Sequence, residues 1–205
     1  GPATETSDIY DWSGNIGNTT LSTTTEADNV LKTTVKVKNV ATDCISFKKS
    51  ATYTDDAKTT IGDYYMAITP AEGGFKAGDV IHITGCINNK DATKHGAITV
   101  YGSMSTSASI GTTEDFANTY DTSVTPVEQT ITLTADCESL ILTRSGNTAT
   151  CILALKVVRG ESSGETAISI AEANKAQKPV KRIENGRIII VKDGKTYNAT
   201  GAIIK

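Results

Sequence analysis

The chain has 205 residues, of which 21% are charged and 38% apolar, enough to bury a core without disulfide staples. Its net charge of −3 argues against a nucleic-acid binder that works by neutralising phosphate, and no apolar run reaches the length of a membrane span. The 33 threonines are β-branched and polar and suit the wet faces of strands, so composition describes a secreted β protein and names no activity.

Period-two alternation dominates up to about residue 158. Leu31, Thr33, Val35 and Val37 face one way, and Lys32, Thr34, Lys36 and Lys38 the other. Ile45 to Phe47 is a second strand. Tyr64, Met66 and Ile68 alternate with Tyr65, Ala67 and Thr69, and Pro70 ends that run. The turn signal Lys76-Ala-Gly-Asp79 opens a strand over 79–86, followed by one over 97–101. Thr113 to Asn118 reads as a short helical turn. Ile131 and Leu133 alternate with threonines, and strands over 140–143 and 150–158 close the set. In the last, Cys151, Leu153, Leu155 and Val157 share a face, and Gly146-Asn147 reads as the tip of a hairpin joining the final two strands. The core is predicted at Val35, Val37, Ile81, Ile83, Leu133, Leu153 and Leu155. Short strands separated by turns predict an all-β fold, an antiparallel two-sheet jelly-roll sandwich over residues 1–158.

Charge divides the chain: residues 1–158 carry a net −7 and residues 159–205 a net +4. Residues 159–180 read as a linker containing an alanine-rich stretch. Residues 181–205 read as a small β meander, with Asp193-Gly194 at a hairpin tip and a second turn at Thr200-Gly201. Gly1-Pro2 has the form of a protease-site remnant, so the absence of a leader says nothing about localisation.

Two stretches resemble known families. The ending Glu184-Asn-Gly-Arg187-Ile-Ile-Ile-Val-Lys-Asp-Gly-Lys-Thr-Tyr197-Asn-Ala-Thr-Gly201-Ala-Ile-Ile-Lys205 resembles the type IX secretion tail of exported Bacteroidetes proteins. That resemblance implies export to the medium or cell surface of such a bacterium and is silent about activity. Phe75-Lys-Ala-Gly-Asp-Val-Ile-His-Ile-Thr-Gly85, and Leu140-Ile-Leu-Thr-Arg144 continuing to Val158-Arg159, resemble framework patterns of the β-sandwich modules attached to polysaccharide-degrading enzymes. This second resemblance implies a jelly-roll module with polysaccharide or oligosaccharide as partner. It transfers no ligand contact to any position.

Catalytic machinery is not expected. There is no Gly-x-Ser-x-Gly elbow and no His-Glu-x-x-His. His82 lies mid-strand and His95 in a loop, and Asp55-Asp56 and Glu114-Asp115 are adjacent carboxylates that point apart on extended chain, unlike a glycosidase pair. Sugar binding needs aromatic faces and polar side chains for hydroxyls. Tyr65 and Tyr101 have outward parity, Tyr53 and Tyr120 fall in loops, and Trp12 is either a platform or a plug at one end of the sandwich. Asn88 and Asn89, in the loop shared with Asp91 and Lys94, are hydroxyl ligands or plain turn residues. Asp28, Asp43, Asp136 and Glu138 fall at strand ends, where a jelly roll can hold a structural calcium; no cofactor is required. Cys44, Cys86, Cys137 and Cys151 lack metal-site spacing and form either two disulfides, by any of three pairings, or buried thiols. The leading expectation is a monomeric, non-catalytic carbohydrate-binding module. The alternatives are an adhesin-like or structural β-domain contacting protein or host surface, and an accessory domain of a lyase or hydrolase with no ligand of its own.

Overall fold

In a computed structural model the described residues are 8–12, 18–21, 29–70, 73–121, 123–160, 180–184, 187–192 and 195–204. The chain divides into two units, Gly1–Ser162 and Ser163–Lys205. The first is a two-sheet sandwich with a separate two-stranded β5-β6 ribbon, built of β1 (Asp8–Asp11), β2 (Asn18–Leu21), β3 (Val30–Val37), β4 (Val40–Phe47), β5 (Thr52–Tyr53), β6 (Ile61–Asp63), β7 (Tyr65–Thr69), β8 (Val80–Ile87), β9 (Gly96–Tyr101), β10 (Ser109–Thr112), β11 (Ala117–Asn118), β12 (Glu128–Thr132), β13 (Leu140–Gly146) and β14 (Thr150–Val158).

The larger sheet runs β11-β8-β14-β4-β3, with β1 also on β14 and β12 also on β8; the smaller runs β10-β9-β13-β7-β2. Pairing within these two sheets is antiparallel except for the two-residue contact of β11 with β8. From β7 onward the long strands alternate sheets: β7, β9 and β13 lie in one, β8, β12 and β14 in the other. The connection at Gly146-Asn147 is therefore a crossing between sheets and not the expected hairpin. Gly146 sits there at φ +105°, and a Cβ on it would come 2.5 Å from the His95 carbonyl oxygen, so the crossing demands glycine.

The core lies between the sheets. Ile45, Phe47, Ile81, Ile83, Ile152, Leu155 and Val157 come from one sheet, and Met66, Ile68, Ile98, Val100, Leu140 and Leu142 from the other, with Tyr10, Phe75, Phe116 and Leu133 filling the margins. Burying each such side chain stabilises by roughly 1.5–3 kcal/mol. Ile81, Ile83, Leu133 and Leu155 are in this core as expected. Val35, Val37 and Leu153 are not; they are half-buried on the other side of the larger sheet, against Cys44, Cys86 and Cys151. The physical reason for Leu153 is a β-bulge. Ile152 faces Gly85 and Ala154 faces Thr84, so Leu153 is an extra residue in β14. Side-chain parity flips across it, and Cys151 faces away from the core that Leu155 and Val157 enter.

Thr113 to Asn118 is extended and contains no helical turn. Its N–H groups are taken from outside the segment: Thr113 donates to Ile98 O, Glu114 to Gln129 Oε1 and Phe116 to Gly96 O. Phe116 then packs where Gly85 leaves room for its ring.

Asp79 explains why the two framework stretches belong together. Its side chain is 1% exposed. Oδ2 accepts from Lys76 N at 2.7 Å, Oδ1 accepts from Gly160 N at 3.2 Å, and Arg159 Nη1 lies 3.3 Å from Oδ2. Arg159 Nη2 also donates to Gly74 O. One carboxylate thus ties the turn before β8 to the residues after β14. Arg144 does similar work elsewhere, donating to Lys48 O at 2.7 Å and to Ser50 Oγ. Arg159 and Gly160 therefore belong to the sandwich and not to the linker in which the sequence reading placed them.

The second unit holds a three-stranded antiparallel meander, β15 (Val180–Glu184), β16 (Arg187–Lys192) and β17 (Lys195–Asn198). Lys192 pairs with Lys195, as a two-residue connection requires, while Asp193 and Gly194 themselves lie outside the described residues. The Thr200-Gly201 turn is present: Asn198 Oδ1 accepts from Thr200 and Ala202 N–H groups, and Gly201 has φ +86°. The alanine-rich stretch at 167–178 lies outside the described residues. Because the sandwich closes its own hydrogen bonds through Gly160, a chain ending at Ser162 is expected to unfold in one cooperative transition. Circular dichroism during urea denaturation checks this, and a broad non-cooperative loss of signal contradicts it.

Candidate functional site

The residues proposed for sugar binding fall in three places. The first is a cleft of about 350 Å³ lined by Lys36, Asn39, Asn88, Thr119, Tyr120 and Asp121. One wall is the β3–β4 hairpin, whose turn residues Lys38 and Asn39 both have positive φ, 49° and 63°, as a tight two-residue hairpin needs. The other wall is formed by the loops leaving β8 and β11. They meet at the Lys36 carbonyl, which accepts from Asn88 Nδ2 at 2.9 Å and from Thr119 Oγ1 at 2.8 Å. Asn118 fixes the second wall: its Oδ1 accepts from Asn89 N and Tyr120 N, and its Nδ2 donates to Asn89 O at 2.8 Å. Tyr120 is thereby held by its backbone while the residue stays 43% exposed.

Asn88 and Asn89 differ in what they have left to offer. Asn89 spends both ends of its amide on the scaffold, donating to Thr148 Oγ1 and accepting from Asp91 N. Its side chain thereby braces the turn. Asn88 commits its amide hydrogens to Lys36 O and Thr119 Oγ1, which holds its side chain at the cleft. Asp91 accepts from Thr93 N and Oγ1, and the Thr93 hydroxyl holds its carboxyl below the usual range.

The second place is the outer face of the smaller sheet. Register sets Tyr65 opposite Thr143, and Tyr101 opposite Ile141 on the other edge of the same strand, so the two tyrosines share that face as expected. They are not open platforms. Both are half-buried, and Ile141 and Thr143 between them are each only 4% exposed. Burial and then the neighbouring Tyr53 push the Tyr101 phenol above its ordinary value. Tyr53 is more exposed, but Lys58 Nζ sits 5.9 Å from its ring centre.

Trp12 marks the third place. Its N–H donates to Leu155 O at 3.0 Å, just past the point where β1 leaves β14. The residue is half-buried against the core and also lines a cleft of about 310 Å³ with Lys32, Thr33, Thr34, Asp43 and Cys44. It thus has one side on the core and one on a cleft.

The described carboxylates proposed for calcium fall in two separate clefts. Asp136 and Glu138 line one cleft with Lys76, Asp43 lines the Trp12 cleft, and Asp28 lies outside the described residues. Asp136 is committed to a turn, accepting from Ala77 N at 2.9 Å with Lys76 Nζ 3.5 Å away, and the Ala77 hydrogen bond lowers its carboxyl. Among the described residues no group of three histidine, cysteine or acidic side chains is arranged to hold a metal. His82 Nδ1 meets Glu128 Oε1 at 2.7 Å across β8 and β12, and His95 Nδ1 lies 3.4 Å from Asp115 Oδ1. Asp55 clamps a loop by accepting from Thr59 and Thr60, and the Thr59 hydroxyl holds its carboxyl low. These arrangements fasten strands and loops together.

Sequence reasoning marked Tyr120 and Asn88 but missed Lys36, Asn39, Thr119 and Asp121. The available signal was Lys38-Asn39 between two alternating runs, a hairpin tip that brings Lys36 to the end of the sheet.

No protein-family model matches the chain, and no curated protein matches it. Among solved structures it is similar to the K3 cleaved adhesin domain of Lys-gingipain from Porphyromonas gingivalis W83, at 12% identity and TM-score 0.43, covering 74% of this chain and 98% of that one. It is similar to the xylanase 10B modules of Clostridium thermocellum, a CBM22-1 with a GH10 module complexed with xylohexaose, at 11% identity and TM-score 0.44; 76% of this chain is covered but only 29% of that one. It is also similar to the C-terminal CBM6 of the laminarinase LamC from Zobellia galactanivorans, at 11% identity and TM-score 0.37, covering 75% and 99%.

Proposed function

We propose that the sandwich is a non-catalytic carbohydrate-binding module whose sugar site is the Tyr120 cleft. The observation that carries this reading is the pairing of an exposed, backbone-pinned tyrosine with a polar cleft lined by Lys36, Asn39, Asn88, Thr119 and Asp121. A sugar presents C–H faces to the ring and hydroxyls to these groups. The preformed geometry removes part of the ordering cost of binding. With one ring and a few hydrogen bonds, affinity falls in the roughly micromolar to millimolar range. The module belongs, in this reading, to a secreted or surface glycan-utilisation protein of a Bacteroidetes bacterium, with the C-terminal meander as its sorting tail.

Titration calorimetry against soluble plant and host polysaccharides tests the site. Tyr120→Ala is expected to weaken the best ligand about tenfold, which corresponds to about 1.4 kcal/mol. Tyr65→Ala and Tyr101→Ala should leave affinity unchanged. No heat with any glycan at millimolar sugar, from folded protein, overturns the reading in favour of an adhesin-like contact surface. The exposed Val40, Val124 and Val127, the last 75% accessible, are the side chains that favour this second reading.

A further inference from the structure

Three of the four cysteines meet on the outer side of the larger sheet. Cys44, Cys86 and Cys151 are all buried, with Val35, Val37 and Leu153 packed against them. The three cysteines form one buried cluster, with Cys151 the member that interacts with both Cys44 and Cys86. All are free thiols in this structure. Cys137 stands apart, in the cleft with Asp136 and Glu138.

Strand register decides which of these sulfurs can be joined. Cys151 on β14 is directly opposite Cys86 on β8 in an antiparallel pair, on the regular side of the bulge. Opposed residues in such pairs have Cα atoms roughly 4.5–5.5 Å apart, inside the roughly 4.4–6.8 Å span of a disulfide. On the other edge of β14, Cys151 is opposite Ser46, so Cys44 is a diagonal neighbour. Diagonal Cα atoms are about 7–8 Å apart, beyond what a disulfide bridges without moving backbone. We propose that Cys86 and Cys151 are the site of a single reversible disulfide that staples the two central strands of the larger sheet, while Cys44 and Cys137 remain thiols.

The cluster is also prepared for the chemistry. Hydrogen bonds from Cys44 and Cys86 favour the thiolate at Cys151, and the same bonds, with burial, push Cys44 and Cys86 up. Oxidation removes two protons and two electrons from the Cys86–Cys151 pair. A small disulfide such as oxidised glutathione takes them: the Cys151 thiolate attacks its S–S bond and releases one glutathione thiol, and Cys86 sulfur then displaces the second. On closure Cys44 is left as a buried thiol beside the bridge. In a reducing compartment the staple opens, and in the oxidising surroundings of an exported protein it closes.

The test refolds the full-length chain from reduced, denatured protein across a series of glutathione redox buffers, so burial does not limit access of the oxidant. Thiols are counted after denaturing quench, and bridged peptides are identified by mass spectrometry. The expected result is loss of two thiols, a bridge joining the peptides that contain Cys86 and Cys151, and a Tm higher by on the order of 5–10 °C than that of the reduced protein. Cys44→Ser and Cys137→Ser should keep the bridge, and Cys86→Ser should abolish it. Where a variant fails to refold, alkylation of the denatured wild-type chain before and after oxidative refolding, read peptide by peptide, identifies which cysteines are bridged. Four free thiols in the most oxidising buffer, or a bridge that includes Cys44 or Cys137, overturns the proposal.

Discussion

Asp79→Ala should lower the stability of the sandwich by about 3–5 kcal/mol, the loss expected when one partner of a buried ion pair is removed. Asp79 is the acceptor for two backbone N–H groups, those of Lys76 and Gly160, and faces the Arg159 guanidinium. Alanine leaves both N–H groups without their acceptor and the partly buried guanidinium without its counter-charge. Asp79→Asn retains an oxygen for one of the N–H groups but turns a donor toward the other and loses the charge, so its cost should be intermediate. Urea denaturation of the three proteins measures the series. A cost below about 1 kcal/mol for alanine would mean that the carboxylate is replaceable by water, as at an exposed pair.

Ile152→Ala and Leu153→Ala, one residue apart, are expected to differ severalfold. Ile152 is fully buried between the sheets, so its truncation should cost about 2–5 kcal/mol through lost burial and a residual cavity. Leu153 is half-buried on the far side of the sheet, over the thiol cluster, and its truncation should cost about 1 kcal/mol, less than one buried side chain is worth. Equal costs, or the reverse order, would mean that the bulge is absent and that simple alternation from Cys151 to Val157 holds. Chemical denaturation at constant m-value is the measurement, since a change in m would report a changed denatured state.

That contrast also shows what could be read before any coordinates. The alternation of β8 was legible because β8 itself carries no inserted residue: Ile81 and Ile83 face in, and His82, Thr84 and Cys86 face out. The parity of β14 was not, because one inserted residue flips it and nothing in Cys-Ile-Leu-Ala-Leu announces a bulge. Gly146-Asn147 is a sound local turn signal, yet whether a turn returns to the same sheet or crosses to the facing one depends on where the next strand finds its partner. Thr113 to Asn118 has no helix-forbidding residue, and tertiary acceptors on Ile98, Gln129 and Gly96 overrode its local preference. At the candidate site, the types and exposure of Tyr120 and Asn88 were legible. The commitment of Asn89 to Thr148 and Asp91 was not, since a side chain 59 positions away supplies the partner. The strand-end carboxylates looked alike in sequence and differ only through such partners.

The outermost strand of the larger sheet has one more consequence. β3 has β4 on one edge and no described strand on the other, so the alternate main-chain groups that point outward along it have no strand partner, with Lys36 O taken instead by Asn88 and Thr119. Such an edge is a template on which another copy of the chain could add a strand and begin an aggregate. Lys32 and Lys36 stand exposed along it, with Lys38 in the turn beyond, and two copies approaching edge to edge would bring these like charges together. The lysines that look like ordinary alternation in the sequence therefore work against edge-to-edge pairing of two copies.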